Sequence, residues 1–330
     1  MTAKKGVILS GMRPTGRLHL GNLFGALDNW VKLQEEYNCF FCVVDWHALT
    51  TAYEDPGNIR ENVKEMVIDW ISCGLDPEKS VIFKQSDVKE HAELHLLLSM
   101  LTPISWLERV PTYKEQIQQI EGRNLATYGF LGYPLLQAAD IMLYKADAVP
   151  VGEDQAPHIE FTREIARRFN HLYEQEIFPE PATLLTEYKV VPGVDNRKMS
   201  KSYNNIIELS ISPDEISKRV KMMVTDTGRI KKNDPGNPHV CSVFSFHRIF
   251  NKGNMLEIEE SCQKGQIGCV QCKQIVSDWM KDHLQPMYAK RRELEKDPQL
   301  VWEMLQGGRE KAGKVARETM EAVRSAMGLA

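Results

Sequence analysis

Val7-Ile8-Leu9 followed by Pro14-Thr15-Gly16-Arg17-Leu18-His19-Leu20-Gly21-Asn22 decides the fold, because it reads as an apolar strand, a turn and the start of a helix. Leu20, Leu23, Phe24, Leu27, Trp30 and Val31 recur at helical spacing, so the helix begins near His19. Its unpaired N–H groups and dipole favour an anion at that end. His19 and Asn22 are three apart and share a face. Gly21 lets a nucleotide approach the backbone, and Gly25 is expected to seat the helix tightly on a sheet. The competing reading is a structural histidine at a helix start.

Outward from this unit, strands and helices alternate. Strands are expected at Val7 to Leu9, Cys39 to Val44, Val81 to Lys84 and Val149 to Val151; helices at His19 to Glu35, Ile59 to Cys73, Glu90 to Leu101, Tyr133 to Tyr144 and His158 to Phe169. That is the pattern of an α/β, doubly wound parallel sheet of Rossmann-like type. From Pro213 onward only helices are expected, at Asp214 to Val224, Met255 to Lys264, Cys269 to His283 and from about Val301 to the end. The chain therefore divides into a catalytic domain, 1–210, and a helical domain, 211–330, whose last helix is able to fold back onto the first.

Lys198-Met199-Ser200-Lys201-Ser202 is poorly suited to a packed core and well suited to polyphosphate. Flexible ammonium groups follow phosphate oxygens as charge builds on them, and the serine hydroxyls and loop amides add donors. A solvated basic loop is the plain alternative. In Tyr133-Pro134-Leu135-Leu136-Gln137-Ala138-Ala139-Asp140, residues Tyr133, Gln137 and Asp140 share one helix face. A carboxylate in so apolar a helix is costly to bury without a donor. Val149-Pro150-Val151-Gly152-Glu153-Asp154-Gln155 places polar groups at the carboxyl end of a strand, where open parallel sheets bind ligands.

Together, the His19 turn and the lysine loop resemble the paired signatures of class I aminoacyl-tRNA synthetases, with Asn22 standing where the older pattern has a second histidine. The run from Gly152 to Asn170 and the tail from Lys314 to Leu329 are similar to the bacterial tryptophanyl-tRNA synthetases, so the likeness spans nearly the whole chain. It implies ATP with Mg²⁺, L-tryptophan and tRNA(Trp) as ligands, and a homodimer. It further implies that Asp140 accepts the substrate indole N–H, that Tyr133 and Gln155 hold the ammonium group, and that Gln137 and His47 border the amino acid. Gly152 and Asp154 would meet adenosine, with Thr15, Gly21 and Met199 beside the nucleotide. Lys198, Ser200, Lys201, His19 and Asn22 would stabilise the departing pyrophosphate. Lys114 resembles a family lysine that closes on the phosphates, and Arg13 sits where many relatives have glutamine. Rivals are a tyrosyl-tRNA synthetase, a small-molecule adenylyltransferase and a noncatalytic RNA-binding paralogue.

Four of the seven cysteines, Cys241, Cys262, Cys269 and Cys272, fall within residues 241–272. Thiols so placed suggest a [4Fe-4S] cluster or tetrahedral zinc, against unliganded buried thiols as the third possibility. Cys39 and Cys42 lie in a strand and read as core. Lys218, Arg219, Lys221, Arg229, Lys231 and Lys232 form a basic run that fits a solvated face as well as RNA contact. A net charge of -4 argues against indiscriminate nucleic-acid binding, so no DNA partner is expected. No apolar stretch reaches the length of a membrane span, and the first residues lead straight into a strand, so a cytoplasmic location is expected.

Overall fold

The computed structural model describes residues 4–111, 126–185 and 191–330. Lys114 lies outside them. Five parallel strands form one sheet in the order β3-β2-β1-β4-β5. They are β1 (Val7–Met12), β2 (Asn38–Val43), β3 (Ser80–Lys84), β4 (Ala148–Val151) and β5 (Ala182–Leu185). The first four match expectation. The fifth is a four-residue edge strand, too short and too sparsely alternating to announce itself. Sheet order reverses between β1 and β4, and in such sheets the crevice at the reversal is the binding site.

Both sheet faces are covered. Trp30, Val63, Met66 and Trp70 pack on one face and Leu94, Leu98, Leu135, Ile159 and Phe169 on the other. Cys39 and Cys42 divide between these two layers, as a strand's alternation requires. The helical region continues the first layer through Val276, Met280 and Leu284.

The helix Cys269–Leu294 runs well past the expected stop at His283 and carries Pro286 in its interior. Packing along both flanks outweighs the hydrogen bond that this proline removes. Ser242–Phe250, with Cys241 at its N-cap, is a further helix that periodicity did not single out.

The terminal helix, Gln299–Ala326, does fold back onto the sheet. Val301 and Leu305 enter one layer while Ala312, Ala316, Met320 and Val323 enter the other, so the helix straddles the β3 edge. Gly308 lies at the crossing. A Cβ there would stand 1.8 Å from the carbonyl oxygen of Ile82, whereas one at Gly307 would meet nothing within 4 Å. The edge strand is thus covered rather than left open.

Gly308→Ala should therefore destabilise the fold by about 2 kcal/mol or more, because backbone cannot give way as a side chain can. Gly307→Ala should be neutral or stabilise by up to about 1 kcal/mol through helix propensity. Urea unfolding of both variants measures the contrast.

Candidate active site

The polar turn after β1 is stitched to the segment that follows the lysine loop. Leu20 N donates to Ile207 O at 3.0 Å, Leu209 N donates to Leu18 O at 3.0 Å, and His19 pairs with Glu208 as an antiparallel bridge. Met199 is the loop's anchor: its side chain is buried in the core and its N–H donates to Val191 O at 3.1 Å. Its side chain thereby ties the loop to the core. Lys198 and Lys201 are exposed, and the Lys201 ammonium donates to Thr15 O on the turn. Partial desolvation lowers the Lys201 pKa, with Glu208 and Asp69 pulling the other way. Ser200 is fixed through its backbone, which donates to Asn205 Oδ1 at 2.8 Å.

His19 caps the helix in a reciprocal box. Its Nδ1 accepts from Gly21 N at 3.1 Å, and its own N–H donates to Asn22 Oδ1 at 3.1 Å. An accepting Nδ1 leaves the proton of the neutral ring on Nε2, and Asn22 keeps its Nδ2 donors free of the box. Burial, reinforced by the Lys201 charge, lowers the His19 pKa to about 4. The ring is therefore a neutral donor at physiological pH. After Asn22 the helix widens into a π-helical stretch, Leu23–Leu27, before resuming as Asp28–Glu36. Such wide turns cluster at functional sites. Gly25 does not seat the helix on the sheet: a Cβ there would meet nothing within 4 Å, and with Ala26 it lines the central cavity.

That cavity, of about 370 Å³, opens at the reversal between β1 and β4. Arg13, His47, Tyr133, Gln137, Asp140, Gly152 and Gln155 all line it. At its base Asp140 is 2% exposed and held by three side chains. Gln85 Nε2 lies 2.8 and 2.9 Å from its two oxygens, His91 Nδ1 is 2.7 Å from Oδ1, and His47 Nε2 is 2.9 Å from Oδ2. Tyr144 Oη holds the far side of His91 at 2.8 Å. Burial pushes the Asp140 carboxyl up, but His91 and His47 outweigh it and hold the group well below the usual carboxylate range.

The other expected contacts divide. Tyr133 Oη meets His158 Nε2 at 3.0 Å. Gln155 donates to Asp154 at 2.9 Å, so these two polar groups satisfy one another at the cavity rim. Gln85, His91, Tyr144 and His158 were not foreseen. Tyr144 closes the helix that carries Asp140 and His158 follows the polar run Gly152 to Gln155, while Gln85 and His91 come from elements that only the sheet order brings to the site.

The four clustered cysteines line one small pocket with Arg229, whose Nη1 stands 3.9 Å from Cys262 Sγ and 3.8 Å from Cys269 Sγ. Arg229 thus faces inward, unlike the exposed Lys218, Lys221, Lys231 and Lys232 of the basic run. Burial pushes the Cys272 thiol up to about 12 and raises that of Cys262. Among the described residues no group of three or more His, Cys, Asp or Glu side chains could hold a metal ion. The expected iron–sulfur or zinc ligand set is therefore not formed as the sulfurs stand.

A Rossmann-like sheet with a capped turn after its first strand, a lysine loop bonded to that turn and an acid-floored cavity at the strand reversal defines a nucleotide-dependent enzyme of the class I synthetase type. The chain belongs to the class I tRNA synthetases of the W and Y group, whose family model matches residues 1–285. It is 54% identical over 325 residues to the tryptophan–tRNA ligase of Thermotoga maritima, covering 98% of this chain and 99% of that protein. The tryptophan–tRNA ligase of Aquifex aeolicus is 47% identical, with 98% and 99% covered. Among solved structures, tryptophanyl-tRNA synthetase from Campylobacter jejuni complexed with ADP and tryptophan superposes with a TM-score of 0.87 at 35% identity, covering 98% of this chain and 100% of that one.

Because the folded His19 value lies below the ordinary 6.5, the unfolded chain takes up the extra proton first. The contribution of His19 to stability is complete above about pH 6.5 and is lost as pH falls toward 4. Imidazole resonances followed by NMR, assigned with His19→Asn, should show its midpoint near 4. A midpoint near 6.5 would mean that the turn is open to solvent.

Proposed function

We propose that this protein is a tryptophan–tRNA ligase: it activates L-tryptophan with ATP to tryptophanyl-adenylate and pyrophosphate, then passes tryptophan to the 2′-hydroxyl of the terminal adenosine of tRNA(Trp). The observation that carries the reading is a buried, ionised Asp140 in the cavity beside the stitched anion turn. Family membership and the named activity of the relatives support it.

The amino-acid carboxylate, ionised at neutral pH, would attack the α-phosphorus in line, and no general base is required. Alignment and stabilisation of the departing charge then carry the catalysis. His19 Nε2–H, Asn22 Nδ2 and the Lys198 and Lys201 ammonium groups are the donors available for that charge. Thr15 O, which now holds Lys201, would release it to phosphate. Gly21 and Gly152 would let adenosine approach backbone, with Asp154 and Arg13 at the rim. Tyr133, Gln137 and Gln155 would border the amino group, and Asp140 would accept the indole N–H beside His47. Mg²⁺, when bound, would neutralise phosphate charge.

The helical region, 211–330, would meet tRNA(Trp), its exposed lysines supplying a local basic patch. No helix among the described residues is long and apolar enough to cross a membrane. A homodimer rests on the family relationship alone. Cys241, Cys262, Cys269 and Cys272 line one pocket away from the reaction, where no metal-ligand set is formed among the described residues.

Amino-acid-dependent ATP–pyrophosphate exchange tests the function. Exchange with Trp alone is expected, with Phe rejected by roughly 10⁴-fold because it would leave Asp140 without its substrate donor. Exchange with Tyr instead would overturn the pocket assignment. Lys201→Ala should cut the exchange rate by about 10²-fold or more with tryptophan affinity little changed. Elemental analysis of anaerobically isolated protein should find iron or zinc if the thiols are ligands; neither metal above background would leave them as free, half-buried thiols.

A further inference from the structure

Asp69 and Arg291 form a buried ion pair outside the substrate cavity that the proposed chemistry does not use. Each is 1% exposed. Asp69, on the helix Ile59–Ser72, uses its two oxygens differently. Oδ1 accepts from Arg291 Nη1 at 2.6 Å, and Oδ2 accepts from the backbone N–H of Leu18 at 2.6 Å. Leu18 immediately precedes His19 and is the residue whose carbonyl receives Leu209 N.

Arg291 comes from the other end of the molecule's organisation, the last turn of the helix Cys269–Leu294. Its other nitrogens also donate: Nη1 reaches Glu65 O at 3.2 Å, Nη2 pairs with the Glu65 carboxylate, and Nε donates to Glu295 Oε1 at 3.0 Å. Arg17, in the turn itself, closes the network on Glu65 at 2.8 Å. The helix that supplies Arg291 starts at the four-thiol pocket, roughly 30 Å away at 1.5 Å per residue.

A buried pair of this kind is weak evidence for stability, since an apolar pair of similar volume often serves as well. Here the carboxylate is shared between the helical region's guanidinium and the backbone of the anion-binding turn. We propose that Asp69 and Arg291 are a positioning pair for amino-acid activation, through which the helical region fixes the Leu18–Asn22 turn in the geometry that grips ATP. This deepens the synthetase reading and rests on it. Neither residue touches substrate. Their effect passes through the Leu18 N–H to His19 and Gly21, where displacement of the order of an ångström costs about 10²-fold in rate.

The test is the double variant Asp69→Asn/Arg291→Met, which removes both charges together and keeps an oxygen for Leu18 N–H. Removing one partner alone would strand a buried charge and confuse unfolding with mispositioning. The expected result is a folded protein with tryptophan affinity within about twofold of the parent, exchange kcat at saturating ATP lowered about tenfold or more, and faster hydrogen exchange in a peptide spanning residues 14–23. Unchanged kcat and unchanged hydrogen exchange in that folded variant would overturn the proposal. So would equal losses in tryptophan affinity and kcat, which mark a merely structural role.

Should the double variant fail to accumulate, Arg291→Lys keeps one donor for Asp69 and gives up those to Glu65 and Glu295. It should show the same pattern at smaller size, and wild-type behaviour in both readouts would overturn the proposal. Parent protein inactive with Trp would instead defeat the synthetase reading, while hydrogen exchange would still decide whether the pair holds the turn.

Discussion

Two backbone hydrogen bonds, from Leu20 N to Ile207 O and from Leu209 N to Leu18 O, are the constraint on which the site depends. They turn two distant polar segments into one surface. Without them the lysine loop would be a solvated tether and the His19 cap an ordinary helix start. With them, Lys201 lies against Thr15, and the Lys201 charge helps burial keep His19 neutral. Backbone pairing suits this task because it fixes position while leaving the Lys198, Lys201 and Ser200 side chains available.

Asp140 is the second constraint. An ionised carboxylate at the base of a cavity is expensive to bury, and three side-chain partners offset that cost. Gln85 and His91 hold it from behind, while His47 lines the cavity. A substrate N–H arriving from the cavity side would join a carboxylate whose charge and orientation are already set. Such preorganisation favours discrimination over raw affinity, because a ligand without the donor gains no compensating contact.

Much of this was legible in the chain, for identifiable reasons. β1 and the His19 turn declare themselves through an abrupt change from apolar run to turn residues to helical spacing, all local signals. Asp140 stood out because an acid in an apolar helix needs an explanation. What stayed hidden was non-local. Gln85 and His91 are unremarked polar residues until β3 is placed beside β2. Asp69 and Arg291 sit on separate helices that only the tertiary fold brings into contact. Gly25 reads as a packing glycine on a regular helix, and the π-helical turn, which leaves Gly25 lining the cavity, breaks that assumption. Met199 reads as part of its loop in the sequence, and only the fold shows its side chain buried as the loop's anchor. The cysteine spacing suggests a metal site, but the thiols, although they line one pocket, form no ligand set among the described residues.

The central claim is that the turn and the lysine loop act together on phosphate while Asp140 reads the amino acid. A crystal structure with a non-hydrolysable tryptophanyl-adenylate analogue tests it most directly. The account predicts the indole nitrogen about 3 Å from Asp140, and the phosphate-mimicking group within similar reach of donors from both the His19 turn and the lysine loop. An analogue bound with its indole away from Asp140, or with its phosphate mimic touched by only one of the two segments, would contradict it.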